Sequence, residues 1–362
     1  MITCTLGDIL TLQRGHDLPK IKMIDGPYPV MGSNGIIGWH TEYTEDFPCP
    51  SITIGRSGNV GTPHLCEKKA WAHNTALYVK DFKGNDPYYL FYLLQTLDLK
   101  KVAGGSAVPT LNRNHVYSLK VSISKNVRTQ RQIGEFLRCF DRKIQLNNQI
   151  NDYLEQLCLL KVQALLNASD EVICLEKIAN VNPSYSLKKG QIAKFIDMAA
   201  LGINTSMPNE IKQKAFSGGQ RFSNGDTLIA RITPCLENGK GGFVNYLEQN
   251  EIAFGSTEYI VLNSASPVVS NEVLYFITRT KDFREYAVKQ MTGTSGRQRL
   301  SWQSVSKYEF VDITRSSKLA EVNNLCHVSL NVIRNNFLQN QRLAVIRDIL
   351  LPKLLSGALE LD

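Results

Sequence analysis

The chain repeats itself, and that constrains its fold more than any single motif. Leu6-Gly7-Asp8-Ile9 has a counterpart in Leu175-Glu176-Lys177-Ile178, each ahead of a polar, Pro-containing loop. Ile52-Thr53-Ile54-Gly55-Arg56 pairs with Thr227-Leu228-Ile229-Ala230-Arg231, both short apolar strands closing on an Arg and a turn. Residues 73–79 pair with 255–261. Residues 88–99 and 273–286 are both helical in period. Loops rich in Gly, Ser and Thr follow each, Gly104-Gly105-Ser106 and Gly293-Thr294-Ser295-Gly296. The spacing Leu111…Val116 then recurs as Leu300…Val305, ahead of strands at 119–123 and 308–313. Any one pairing is weak. Their shared order identifies a duplicated domain.

Each copy ends in a long helical pattern. From Arg131, apolar residues fall at Ile133, Phe136, Leu137, Phe140, Ile144, Ile150, Leu154, Leu157, Leu160 and Leu165. This three-and-four spacing makes a helix of about 50 Å. The second pattern includes Leu325, Leu330, Ile333, Phe337, Leu343, Val345, Ile346 and Ile349, with Pro352 as a kink or end. Asn147-Asn148 and Asn335-Asn336 occupy similar places in the two. An apolar stripe must be buried. The simplest partner for each helix is the other, in an antiparallel coiled coil; packing of each on its own domain is the alternative. Ile144, Ile150, Leu154, Leu157, Ile333, Phe337, Val345 and Ile349 are the expected spacer and partner-binding positions.

The expected fold class is therefore α+β. Two similar β-rich domains, 1–124 and 169–314, are each followed by a spacer helix, 125–168 and 315–362. The arrangement has the pseudo-two-fold symmetry of a fused dimer.

A length of 362 residues agrees with two or three domains. Hydrophobic residues reach 43%, which excludes wholesale disorder. The 41 basic and 33 acidic residues leave a formal charge of +8, a moderate excess suited to a polyanion-binding face. The eight cysteines form no CxxC pair and no zinc-finger grouping with His. Met1-Ile2-Thr3-Cys4 lacks the basic start of a signal peptide, and no apolar run approaches the ~18 residues of a membrane span. These features lead to the expectation of a soluble protein in a reducing, cytoplasmic compartment.

Enzyme signatures fail. Asn182-Pro183-Ser184-Tyr185 resembles the box that holds a flipped adenine in methyltransferases, but lacks its second Pro and a Gly-rich cofactor loop. It reads better as a polar loop. Gly55-Arg56-Ser57-Gly58-Asn59-Val60-Gly61 lacks the Lys-Ser/Thr ending of a P-loop and fits a turn between strands. Glu67-Lys68-Lys69 and Asp81-Phe82-Lys83 are chance-level nuclease scraps. The six His include no HExxH, and no GxSxG elbow occurs. No catalytic residue, metal ligand or cofactor site is assigned.

What the copies share is polar and basic loops. The DNA-binding candidates in copy one are Arg14, Lys22, Ser33, Asn34, Arg56, Ser57, Asn59, His73, Asn74, Ser106, Asn112 and Arg113. In copy two they are Lys189, Arg221, Arg231, Thr233, Asn238, Lys240, Thr294, Ser295, Arg297, Gln298, Arg299 and Trp302. Lys and Arg neutralise phosphates, while Arg, Asn and Gln also read base edges. Singly, each is ordinary solvated surface. Residues 293–300 hold two Arg and no acid.

The chain resembles the specificity subunit of type I restriction-modification systems. In copy one the resemblance rests on Tyr28-Pro29-Val30-Met31-Gly32-Ser33-Asn34-Gly35-Ile36-Ile37-Gly38 and Ile54-Gly55-Arg56-Ser57-Gly58-Asn59-Val60-Gly61. In copy two it rests on residues 224–240 and Gly255-Ser256-Thr257-Glu258, and at the end on Leu350-Leu351-Pro352-Lys353-Leu354-Leu355-Ser356-Gly357. One departure is the start of the central helix, which reads Asn126-Val127-Arg128-Thr129-Gln130-Arg131-Gln132.

The resemblance implies two target-recognition domains reading the halves of a bipartite, asymmetric site in double-stranded DNA. It implies helices that space the half-sites and dock two modification (methyltransferase) subunits, and restriction/translocase subunits that join them. S-adenosylmethionine, ATP and Mg would belong to those partners, with no cofactor in this chain. Two other functions stay open from the residues themselves: a stand-alone adenine methyltransferase using Asn182-Pro183-Ser184-Tyr185, and a structural coiled-coil adaptor.

Overall fold

The computed structural model describes residues 1–103, 110–168, 170–294 and 296–361. The chain divides into two units, residues 1–143 with 342–362, and residues 144–341.

In the first unit, β1 (Ile2–Thr5) leads through the one-turn α1 (Leu6–Ile9) to β2 (Thr11–Arg14). Then come β3 (Tyr28–Gly32), β4 (Gly35–His40), β5 (Ser51–Gly55), β6 (Pro63–Cys66), β7 (Trp71–Ala72) and β8 (Ala76–Asp81). Helix α2 (Pro87–Thr96), the short α3 (Arg113–Tyr117) and β9 (Lys120–Ile123) complete it before α4 (Val127–Leu166). The sheets order as β1-β9, β2-β8-β5-β6 and β4-β3-β7, with β3 and β7 parallel. Strand β5 is buried at every position, as expected for the centre of a covered sheet.

The second unit contains β10 (Val172–Cys174), β11 (Ala179–Val181), β12 (Ile192–Ile196), β13 (Lys212–Ala215), β14 (Arg221–Phe222) and β15 (Thr227–Ala230). It continues with β16 (Gly241–Phe243), β17 (Ala253–Gly255), β18 (Tyr259–Ser264), α5 (Asn271–Arg279), α6 (Lys281–Lys289), α7 (Trp302–Ser306), β19 (Glu309–Val311) and α8 (Leu319–Ser356). Its sheets order as β10-β19, β11-β18-β15-β16 and β13-β12-β17-β14, with β12 and β17 parallel. The strand order of the first unit thus recurs, with β14 added. Even the entry turns agree: Leu6 N–H donates to Leu119 O and Leu175 N–H to Tyr308 O, both at 2.8 Å.

Local chemistry explains the helix ends. Asp86 caps α2, accepting from Tyr89 N at 2.9 Å, with Pro87 in the first turn. The helical period over 273–286 is split, contrary to expectation. Thr280 is extended and accepts from Phe283 N, closing α5 and capping α6. The blurred start of the central helix resolves at Gln130. This buried side chain accepts from Asp86 N at 2.9 Å and donates to Asn85 Oδ1 and Ser124 O, both at 2.8 Å. Helix α8 runs on through Pro352 to Ser356, forgoing one backbone bond near its end.

Each unit packs part of both long helices into its core. In the first, Ile133 and Leu137 of α4 share a core with Leu351, Leu354 and Leu355 of α8. In the second, Cys158, Val162 and Leu165 pack with Val322, Cys326, Leu330 and Ile333. The expected apolar stripe is corrected here. Ile333 is buried and Ile144, Leu154 and Phe337 are half-buried, but Ile150, Leu157, Val345 and Ile349 are exposed. On α4 the inward face instead carries Asn147, Glu155 and Cys158. Leu146, Ile150, Tyr153, Leu157 and Leu160 line the outward face at heptad spacing.

Among the described residues no helix is long and apolar enough to cross a membrane, and no group of His, Cys, Asp and Glu is placed to hold a metal.

Candidate nucleic-acid interface

The two units hold one arginine in the same backbone clamp. In the first, Arg56 follows β5; its N–H donates to Thr75 O at 2.8 Å, and its carbonyl accepts from Leu111 N at 2.9 Å. In the second, Arg231 follows β15; its N–H donates to Glu258 O at 3.0 Å, and its carbonyl accepts from Leu300 N at 2.8 Å. Both guanidinium-bearing side chains are half-buried, so the clamp fixes where each emerges.

Around Arg56 the fold gathers most of the copy-one candidates. Ser57 N–H donates to Thr75 O at 3.1 Å. The hairpin tip of Ser33 and Asn34 lies against the loop, where a Cβ on Gly58 would stand 3.5 Å from Ser33 Oγ. Asn34 and Arg113 are exposed, while Ser33 is buried. Several candidates are occupied by the protein itself. His73 bonds Thr75 Oγ1 and Leu18 O through its two ring nitrogens, at 2.9 and 3.2 Å. Asn59 accepts from Thr62 Oγ1 at 3.0 Å, and Asn112 caps α3. Asn74 and Arg14 both engage Asp17. Lys22 stands apart on an exposed one-turn helix. Ser106 lies outside the described residues.

Around Arg231 the segment 292–300 is stitched to 231–233. Thr233 donates to Gln298 O from both N and Oγ1, at 3.1 and 3.2 Å. Residues 293–300 carry no acid, but the fold brings one. Arg299 Nε donates to Glu258 Oε1 and Oε2 at 2.9 and 3.0 Å, and Nη2 to Oε1 at 2.8 Å. That hydrogen-bonded ion pair holds the Arg299 guanidinium above its ordinary pKa. Arg231 Nε lies 3.9 Å from Glu258 Oε2 and is buried with no hydrogen-bond partner. Arg297, Thr294 and Asn238 are exposed, as is Trp302 at the start of α7. Lys240 is committed, donating to Met198 O at 2.7 Å. Arg221 lies near the Phe216 ring, and Lys189 sits on an exposed loop; both belong to the neighbouring sheet region. Ser295 lies outside the described residues.

Two further arginines, outside the sequence candidates, sit within helical patterns. Arg279 Nη2 and Arg284 Nη2 both donate to Asn204 Oδ1, at 3.0 and 3.3 Å, beside a small crevice that Lys240 also lines. Burial and the Arg279 charge push the Arg284 pKa down.

Tyr185 is likewise accounted for. Its hydroxyl donates to the buried Asp226 at 2.9 Å, and Asn182 Oδ1 accepts from Val261 N at 3.0 Å. Those bonds tie the loop after β11 to the sheet. On α4, Glu155 accepts from Ser206 N at 2.6 Å and from Tyr275 Oη at 3.4 Å. Burial pushes its carboxyl pKa up, against the pull of these bonds and of Arg279.

Residues 2–156 match the family model described as "Type I restriction modification DNA specificity domain". This stretch is similar to that domain over somewhat less than half of the chain. Over 131 residues the chain is 31% identical to the specificity subunit of the type I restriction enzyme EcoAI of Escherichia coli, covering 35% of this chain and 22% of that subunit. Over 135 residues it is 27% identical to the EcoEI specificity subunit of the same organism, covering 36% and 23%. The matches thus span less than a quarter of those curated relatives. The crystal structure of a type I restriction-modification S subunit from M. genitalium covers 98% of this chain and 96% of its own, with a TM-score of 0.64 at 18% identity. That likeness establishes a shared mixed α/β fold. The Arg56 clamp lies inside the matched stretch, and the Arg231 clamp is its counterpart beyond it.

Proposed function

We propose that the chain is the non-catalytic DNA sequence-recognition subunit of a type I restriction-modification complex acting in the cytoplasm. The observation that carries this reading is the arginine clamp repeated in two units of one strand order, the first within the stretch that matches the specificity-domain model. Residues 1–124 and 169–314 are the two target-recognition domains, each reading one half of a bipartite, asymmetric site. The helices within 125–168 and 315–362 pair antiparallel as the spacer. Phosphate contacts from exposed cations such as Arg113 and Arg297 set register, and the clamped arginines with their loops set sequence. Two modification subunits, bound along the helices, carry S-adenosylmethionine and methylate an adenine flipped out of the duplex. Restriction subunits supply ATP- and Mg-dependent translocation and cleavage.

Arg56→Ala and Arg231→Ala test the reading in the assembled complex. Each should weaken binding to the cognate duplex by about 1–3 kcal/mol and relax sequence preference in one half-site only. Unchanged affinity and preference in both variants would remove the clamp from the interface.

A further inference from the structure

The two clamps differ at one side chain. The carbonyl that receives Arg56 N–H belongs to Thr75, and the one that receives Arg231 N–H belongs to Glu258. Thr75 Oγ1 is turned to His73 Nδ1 at 2.9 Å and to Ser33 N at 3.3 Å, so no acid joins Arg56 from that position. Glu258 instead places a carboxylate between two guanidiniums, 2.8 Å from Arg299 and 3.9 Å from Arg231. The pair with its carboxylate carries a net charge of one where it would otherwise carry two. Glu258 thereby occupies the Nε/Nη2 edge of Arg299, and leaves Arg231 Nε without a hydrogen bond.

We propose that Glu258 is a specificity-determining residue of the second recognition domain: its carboxylate turns DNA phosphates away from the Arg231–Arg299 pair and reserves the remaining N–H groups for an uncharged base edge. The inference rests on the DNA-reading function proposed above. A phosphate approaching this pair meets a second anion, whereas the N7 and O6 acceptors of guanine bring no net charge. Repelling the wrong ligand is a route to specificity separate from attracting the right one. The first domain, with Thr75, lacks this filter, so the two half-sites are read with different tolerance of non-cognate duplex.

The test uses the full chain assembled with its modification subunits, titrated with duplex lacking the target across a salt series. Glu258→Gln keeps the size and one acceptor oxygen but removes the charge. It should raise non-specific affinity on the order of three- to tenfold at low salt, and steepen the log–log salt slope by about one. Methylation should spread to sites mismatched in the second half only. Adding Arg299→Gln removes the surplus cation and should return the slope to that of the parent complex. Glu258→Asp keeps the charge and should keep the parent slope even where affinity falls. An unchanged slope in Glu258→Gln, a steep slope in the double variant, or a steepened slope in Glu258→Asp would each overturn the proposal. Exchange of residues 169–314 for those of another specificity subunit separates the two failures. If neither half of the methylated motif changes, the DNA-reading function is wrong; if one half changes and Glu258→Gln is inert, only the role of Glu258 is wrong.

Discussion

Asn147, fully buried on α4, donates its amide to both Gln339 and Asn340 of α8, at 2.8 Å each. Asn336 donates to Asn151 at 2.8 Å and Asn340 to Asn148 at 2.9 Å, so the helices meet here through a layer of amides. A polar layer of this kind fixes register at some cost in stability, because a slip leaves buried amides unpaired. Asn147→Ala should lower the unfolding free energy by about 1–3 kcal/mol. Denaturant unfolding measures it, and an unchanged midpoint would mean that the layer contributes nothing.

The outward stripe of α4 offers a second prediction. Leu146, Ile150, Tyr153, Leu157 and Leu160 form an exposed apolar row whose spacing suits a partner helix. Ile150→Lys with Leu157→Lys should leave the melting temperature of the chain near its parent value, because neither side chain is in the core. Binding of modification subunits, measured by size-exclusion chromatography with light scattering, should weaken at least tenfold, as truncation of interface anchors does. Full assembly of the double variant would place the docking surface elsewhere.

Glu155 gives a pH prediction. Its carboxyl pKa is raised in the fold by burial. The folded state then holds the proton more tightly than the unfolded state, so this group's contribution to stability is present below the unfolded pKa. That contribution is lost as pH rises through the folded value. Glu155→Gln resembles the protonated form. Its melting temperature relative to the parent should climb as pH is raised above about 4.5, the ordinary glutamate value. A difference that stays flat over that window would show that Glu155 is held ionised without penalty.

The repeat was legible because strand order is written in sequence order, and both copies kept their turn and strand residues. The helices were legible as helices, but not the face they bury. Helix α4 bears two candidate stripes, and hydropathy favours the outer one because the inner one includes Asn147, Glu155 and Cys158. Polar groups inside a core are tolerated only through partners distant in sequence, such as Ser206 for Glu155. The Arg299–Glu258 pair was hidden for the same reason, since 41 residues separate its members. Candidate residues such as His73, Asn112 and Lys240 have polar side chains that serve the fold, and composition does not distinguish those from side chains left free for a ligand.

Single-molecule mapping of methylated adenines tests whether each unit reads one half of a divided DNA site. The comparison is between cells carrying the parent chain and cells in which residues 169–314 are exchanged for those of another specificity subunit. The expected result is a two-part motif in which the exchange rewrites one half and leaves the other half intact. A change in both halves, or in neither, would contradict it.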